Sequence, residues 1–424
     1  MVAPVIFFAT YASLLAFPKV RAYIALGSGA LFVITGILPI SKVFGAVDWN
    51  VLMMIAGTMG IVHLFIQSKM PSLMADYIIR LMPSVKWVIV ALSLFAGVIS
   101  AFVDNVATVL MVAPVALVVA KKLDISPVKM IIAIAISSNL QGAATLVGDT
   151  TAILLGGAAG MDFLDFFFYQ GKPGMFFVVQ AGAVLSGFML VFLFRKHGQK
   201  VKMEDKTAVT DYFPTVLLAG TVVLLILASF IPEKPAVTNG LICIGLLLIG
   251  LARDAIRTGK PLESIGETLK EIDFFTLMLL AGLFVVIAGI TEAGVVTSIS
   301  RIFVKLSAGN LFAIYTLIVW ASVLFSAFID NIPYVATMLP VTAGIAKLMG
   351  VDPTVLYFGL LAGATLGGNL TPIGASANIT GLGILRKSGY EVSAGEFMRV
   401  SVPFTLTAVA SGYVLIWLFW GSGF

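Results

Sequence analysis

One short acid–amide stretch occurs twice in this chain, and it limits what the chain can become. Ser100-Ala-Phe-Val-Asp-Asn105 recurs as Ser326-Ala-Phe-Ile-Asp-Asn331, and each copy runs on to a proline at the same distance, Pro114 and Pro340. Across these 15 positions 7 are identical at a shift of 226 residues. Both copies sit in the middle of apolar runs. The chain as a whole is 60% hydrophobic and 11% charged, whereas a soluble domain carries about 25% charged residues. It therefore reads as a polytopic membrane protein. Its spans must be helices, because only helices and closed barrels satisfy their backbone in lipid, and these runs are too long for barrel strands. An ionisable group at membrane depth is costly and marks an ion or substrate path.

Complete spans, each needing ~20 residues, are expected at 1–17, 22–40, 49–67, 175–194, 213–231, 237–252, 274–291 and 399–420. Met1 to Phe17 lacks a basic start and a small-residue cleavage site, so it reads as a first span rather than a signal peptide. The runs 86–120 and 310–346 carry Asp-Asn at their centres and read as re-entrant hairpins. The runs 128–160 and 354–384 are dense in Gly, Thr, Asn and Ser and read as broken helices.

Basic segments set the sidedness. Residues 195–206 hold Arg195, Lys196, Lys200, Lys202 and Lys206, and residues 253–270 hold Arg253, Arg257, Lys260 and Lys270. Two spans separate them, so both are assigned to the cytoplasm. Lys19, Arg21, Arg386 and Lys387 fall on the same side, while 41–47 and 161–174 fall outside. Asp48-Trp-Asn-Val-Leu-Met-Met-Ile-Ala-Gly57 matches Asp273-Phe-Phe-Thr-Leu-Met-Leu-Leu-Ala-Gly282 at 5 of 10 positions, and Thr145-Leu-Val-Gly148 parallels Thr371-Pro-Ile-Gly374. The halves begin on opposite sides. The expected fold is thus an all-α polytopic membrane protein of two inverted-topology repeats, each with about five spans including one broken helix, plus a re-entrant hairpin. The repeats occupy 1–194 and 213–424, joined by a cytoplasmic linker at 195–212.

The chemistry is expected where helices are interrupted. Asp104-Asn105 and Asp330-Asn331 offer carboxylate and amide oxygens that suit a hard cation such as sodium, and an Asp can carry a proton. Capping of the following helix accounts for the same residues, although Ser or Thr would cap at lower desolvation cost. The broken helices add Asn139, Thr145, Gly148 and Asp149 in the first half and Asn369, Thr371, Gly374, Ser376 and Asn378 in the second, with Thr108 one turn beyond the first acid. Gly and Pro let these helices unwind, freeing carbonyls for a cation and helix-end amides for an anion. Close helix packing explains Gly367 and Gly368, but not the hydroxyls and amides beside them. Asp149 has no acidic counterpart; Ala375 stands at the equivalent position.

Other residues read more plainly. His63 is a hydrogen-bonded packing residue in an apolar span, Asp48 and Asp273 are helix caps, and Phe163 to Phe168 form an interfacial anchor. Two histidines and the single Cys243 provide no metal cluster or nucleophile–base pair, so an enzyme is not expected. No phosphate-binding glycine loop supports ATP drive. No Arg or Lys is expected within the membrane to neutralise a dicarboxylate. The formal charge of +5 sits mostly in loops, where it sets topology rather than binding nucleic acid.

On the two Ser-Ala-Phe-x-Asp-Asn stretches, Thr145-Leu-Val-Gly-Asp149 and Gly367-Gly-Asn-Leu-Thr-Pro-Ile-Gly-Ala-Ser-Ala-Asn378, the chain resembles the ion transporter superfamily. The likeness is to the branch of arsenite permeases, NhaD-type sodium/proton antiporters and melanosomal P proteins, and more distantly to divalent-anion/sodium symporters. It covers essentially the whole chain. One departure lies at Gly148-Asp-Thr-Thr-Ala152, where family members often read Gly-Asp-Pro-Pro-Asn. The resemblance implies an elevator-type carrier, a homodimer in the plasma membrane, with a small inorganic ion as substrate, Na+ or H+ as coupling ion and no other cofactor. The expected function is proton- or sodium-coupled carriage of a small inorganic anion or metalloid such as arsenite. Sodium/proton antiport is the alternative, and an uncoupled channel a further one.

Overall fold

Ten helices, then ten more in the same order, make up the computed structural model, which describes residues 2–122, 125–199, 207–209 and 211–421. The first set is α1 (Val2–Ala16), α2 (Arg21–Ile34), α3 (Ile40–Ala46), α4 (Trp49–Gln67), α5 (Met70–Leu81), α6 (Val85–Ser100), α7 (Asn105–Lys122), α8 (Val128–Gln141), α9 (Thr150–Ala159) and α10 (Met175–Leu193). The second is α11 (Phe213–Ser229), α12 (Thr238–Thr258), α13 (Pro261–Glu271), α14 (Phe274–Glu292), α15 (Val295–Leu306), α16 (Leu311–Ser326), α17 (Asn331–Met349), α18 (Thr354–Gly367), α19 (Ser376–Lys387) and α20 (Ala394–Ile416). Among the described residues 7 helices are long and apolar enough to cross a membrane, or up to 9 if each of two bent pairs counts as one span. Lys200, Lys202 and Lys206 of the expected linker lie outside the described residues.

Packing obeys the repeat. Helix α4 runs along α12 as α14 runs along α2. The hairpin arms α6 and α16 lie against the broken-helix arms α8 and α18, and α10 meets α20. Asp48 and Asp273 start α4 and α14 as the sequence implies, their carboxylates accepting the Val51 and Thr276 N–H at 3.0 and 2.9 Å. The broken-helix arm α18 is buried along its whole length and α8 at every position but Lys129, so no lipid-facing polar face is needed for the Ser, Thr and Asn they carry.

Several elements differ from expectation. Residues 2–34 form two helices of 15 and 14 residues bent by 110°, each shorter than the full spans read at 1–17 and 22–40. The bend takes Arg21 out of the loop assigned to it. Helices α5 and α15 were not expected. Both are amphipathic: Met70, Met74 and Ile78 line the inner face of one and Val296, Ile299 and Phe303 that of the other. A 3.6-residue period in such short segments is the mark of a helix lying beside the core. The aromatic run also departs from an interfacial anchor. Phe163 and Phe166 are 1% and 0% exposed, and Phe168 alone stands well out. Its neighbours Phe168–Tyr169 and Lys172–Pro173 form a small antiparallel ribbon, turning through Gln170 and Gly171 with φ of 47° and 75°.

Candidate functional site

Four helices begin at one place. The first residues of α7, α9, α17 and α19 (Asn105, Thr150, Asn331 and Ser376) all line a single cavity of about 380 Å³. Each start follows a break: the two hairpin tips and the two unwound segments. Helix N-termini carry unsatisfied N–H groups and a partial positive charge. Acids moderate that charge at three of the four. Asp104 Oδ1 accepts from the Val106 and Ala107 N–H at 2.9 and 3.2 Å, and Asp330 Oδ1 from the Ile332 N–H at 3.1 Å. Asp149 precedes α9 in an extended conformation, with Oδ2 accepting from Thr151 Oγ1 at 3.1 Å. The fourth start is preceded by Ala375.

The two hairpin acids are not equivalent. Arg21, at the start of α2, places Nη1 2.6 Å from Asp330 Oδ2. Among the described residues no such cation engages Asp104 or Asp149. Arg21, read from the sequence as a residue of a cytoplasmic loop, is carried by the bend between α1 and α2 into the cavity wall. Of the four residues expected to hold sodium, Asp104, Asn105 and Asn331 reach the cavity, while Asp330 is already paired.

Behind the lining, Asn139 and Asn369 tie the halves together, while Thr145, Thr371 and Asn378 bond within their own half. Asn139 Oδ1 accepts from Asn105 Nδ2 at 2.9 Å, and its Nδ2 donates across the repeat to Thr365 O at 2.7 Å and Asn369 Oδ1 at 3.1 Å. Asn369 returns a bond to Ile136 O at 2.9 Å, and Asn331 Nδ2 lies 3.4 Å from Asp149 Oδ2. Thr145 and Thr371 donate to Ala101 O and Ala327 O, the same bond in each repeat. Asn378 Nδ2 donates to Gly368 O and Thr371 O at 3.0 and 3.1 Å. Asn139, Thr145, Asn369, Thr371 and Asn378 are outside the cavity lining and hold the unwound backbone instead.

Two further features mark the unwound segments. A Cβ on Gly148 would lie 2.7–3.0 Å from the carbonyl oxygens of Gly142, Ala101 and Ser100. One on Gly374 would lie 2.6–2.8 Å from those of Gly368, Ala327 and Ser326. Three carbonyl oxygens thus crowd the glycine Cα of each unwound segment, and one of each three, Ala101 O or Ala327 O, also accepts the Thr145 or Thr371 hydroxyl. Nearby buried oxygens also lack partners among the described residues: Ser100 Oγ, Thr108 Oγ1, Ser137 Oγ and Asn378 Oδ1. An unsatisfied buried oxygen costs about 1–3 kcal/mol unless something occupies it.

Sequence reasoning missed part of the lining. Besides Arg21, the wall includes His63, Glu271, Asp273 and Thr380. His63 Nε2 lies 2.9 Å from Gln67 Nε2, so its hydrogen bond is as expected, but its ring also borders the cavity. Glu271 and Asp273 are exposed at the mouth, next to the basic segment 253–270, so the cavity opens to the side assigned to the cytoplasm.

The profile of the citrate transporter family (CitMHS) matches residues 11–363. The chain belongs to that family. An uncharacterized transporter of Mycobacterium tuberculosis is 31% identical over 434 residues, covering 99% of this chain and 98% of that protein. The human P protein is 26% identical over 87% of this chain and 54% of its own length, in keeping with the resemblance to the P-protein branch. The Alcanivorax borkumensis YdaH transporter shares the fold, with a TM-score of 0.62 at 16% identity over 93% of this chain and 89% of that one. Family membership makes the protein a multi-pass membrane transporter, not an enzyme, and its bacterial relatives place it in the plasma membrane.

Proposed function

We propose that the protein is a secondary active carrier that moves a small anion or neutral metalloid together with a coupling cation, Na+ or H+. The observation that carries this is the convergence of four helix N-termini on one cavity that also holds the unpaired carboxylates of Asp104 and Asp149. The positive helix ends suit cargo oxygens. The carboxylates, with the carbonyls around Gly148, suit the coupling cation. Cargo and cation then stabilise each other, because an anion entering alone would meet Asp104, Asp149, Glu271 and Asp273 with the one guanidinium already engaged by Asp330. The family's description brings citrate into the cargo class to be tested, beside arsenite and other small inorganic anions.

Sodium/proton exchange is the second reading, favoured by those same four carboxylates. In either case the hairpins and broken helices would move as a transport unit against a scaffold containing α2, α4, α12 and α14, in an elevator cycle within a homodimer. Flux in proteoliposomes holding a pH gradient and a pH dye distinguishes the readings. Arsenite, phosphate, sulfate and citrate, the last with and without a divalent cation, are added singly in the presence or absence of sodium. A response to one of them that needs sodium or the gradient supports coupled carriage. A response to sodium or lithium alone makes the protein an exchanger.

A further inference from the structure

The inverted repeat is geometrically unequal in one respect. In the first half α9 packs on α4, so that a Cβ on Gly157 would lie 2.6 Å from Asp48 Oδ2 and 2.9 Å from Val51 Cγ2. In the second half the counterpart of Gly157 is Gly383 on α19, and the counterpart of Asp48 is Asp273 at the start of α14. Among the described residues a Cβ on Gly383 would meet nothing within 4 Å. Asp273 is exposed where Asp48 is half-buried, and α19 makes no contact with α14 comparable to that of α9 with α4.

This difference coincides with where the molecule is open. Asp273 borders the cavity of about 380 Å³ beside the segment 253–270 assigned to the cytoplasm, while Asp48 and Gly157 border a smaller void of about 240 Å³ beside the segment 161–174 assigned to the outside. That outer void is bounded by the Asp162–Lys234 ion pair at 2.6 Å. The two halves repeat the glycine and the acid at matching positions but hold them in two different packings, although α9 and α19 are otherwise mostly unlike in sequence. Two packings of one inverted arrangement are the pair of states between which an alternating carrier exchanges.

We infer that Gly157–Asp48 and Gly383–Asp273 are alternating closure contacts. In the conformation open to the outside, Gly383 seats against the Asp273 carboxylate and closes the cytoplasmic cavity, as Gly157 leaves Asp48. Glycine is required at both positions because the helix backbone must approach a carboxylate more closely than any side chain allows. The inference rests on the proposed carrier function for its purpose, but its geometry stands on the repeat alone.

The test uses the full-length protein in proteoliposomes. Gly383→Leu fills space that is open here, so the present conformation is retained and the opposite one is barred. Gly157→Leu collides with Asp48 and Val51 and disfavours the present conformation. Each is combined with a reporter cysteine, Thr380→Cys on the cavity of about 380 Å³ or the buried Met161→Cys on the void of about 240 Å³, and read with a membrane-impermeant thiol reagent applied from each side. The native Cys243 is buried and serves as background. Gly383→Leu is expected to keep Thr380→Cys reactive, to leave Met161→Cys protected and to lose flux; Gly157→Leu is expected to reverse the labelling. Gly383→Ala and Gly157→Ala, which add a single methyl group, should shift the labelling in the same directions as their leucine counterparts, which covers the case in which a leucine variant fails to fold. Unchanged labelling in both leucine variants, or in both alanine variants, overturns the inference. Labelling that follows the expected pattern in protein that moves none of the tested ions instead overturns the carrier function and leaves the closure contacts standing.

Discussion

Arg21 Nη1 lies 2.6 Å from Asp330 Oδ2, joining the start of α2 to the tip of the second hairpin across 309 positions of sequence. The pair gives the two hairpin acids different tasks. Asp330 is neutralised by a fixed cation, whereas Asp104 faces the cavity with only backbone N–H groups at its cap. Both side chains are nearly one-fifth exposed, which limits solvent screening of the pair. Arg21→Gln should therefore destabilise the protein by about 2–3 kcal/mol by stranding a carboxylate. Adding Asp330→Asn should recover part of that loss, a coupling that a double-mutant cycle of thermal unfolding in detergent would measure. Additive losses would show that the pair carries no energy.

Asp104→Asn should abolish coupled flux while leaving the fold intact. Asn caps a helix about as well as Asp, so the N–H groups of Val106 and Ala107 keep an acceptor. Asp149→Asn should do the same, since its carboxylate faces the same cavity and receives Thr151 Oγ1 at 3.1 Å. Flux with normal pH or sodium dependence in Asp104→Asn would remove that residue from the coupling site.

Gly148→Ala and Gly374→Ala each drive a methyl group into three carbonyl oxygens. Overpacking of this kind costs about 1–3 kcal/mol. The larger expected effect is on ion dependence: the concentration of sodium, or of protons, that half-saturates flux should rise in both variants. A variant that is merely less stable, with the same ion dependence, would leave the carbonyl cradles without an ion-binding role.

Away from the membrane interior, Asp211 contacts Arg253 and lies 3.5 Å from Arg257. Burial alone would raise its carboxyl, but hydrogen bonds from Arg253 and the Phe213 N–H, with the charges of both arginines, hold it below the ordinary carboxylate value. A depressed folded-state value adds stability that is present above the unfolded carboxylate range and is lost as pH falls through the folded value. Asp211→Asn should thus cost about 1 kcal/mol near neutral pH, reduced by the partial solvation of the arginines. The difference from wild type should shrink below about pH 4. Melting curves of both proteins across pH 3–7 would check this.

The sequence determined the class of the molecule and the outline of its site. Lipid leaves a backbone one economical way to satisfy itself, so apolar length and charge placement already specify helices. Because the two halves repeat, the hairpins and broken helices could be located by matching Asp104-Asn105 to Asp330-Asn331 and Thr145-Leu-Val-Gly148 to Thr371-Pro-Ile-Gly374. Asp104, Asn105, Asp149, Asn331 and Ser376 were legible as site residues for the same reason. Tertiary structure decided what local pattern does not encode. Arg21 reads as a loop cation until a 110° bend turns it onto a residue 309 positions away. Asn139 and Asn369 become partners only when the two breaks meet, and Thr145 and Thr371 turn from ligands facing a cavity into bonds that hold the unwound backbone. Glycines at the matching positions 157 and 383 acquire unequal surroundings, because a repeat specifies which contacts are available while the packing of one half against the other selects which of them form.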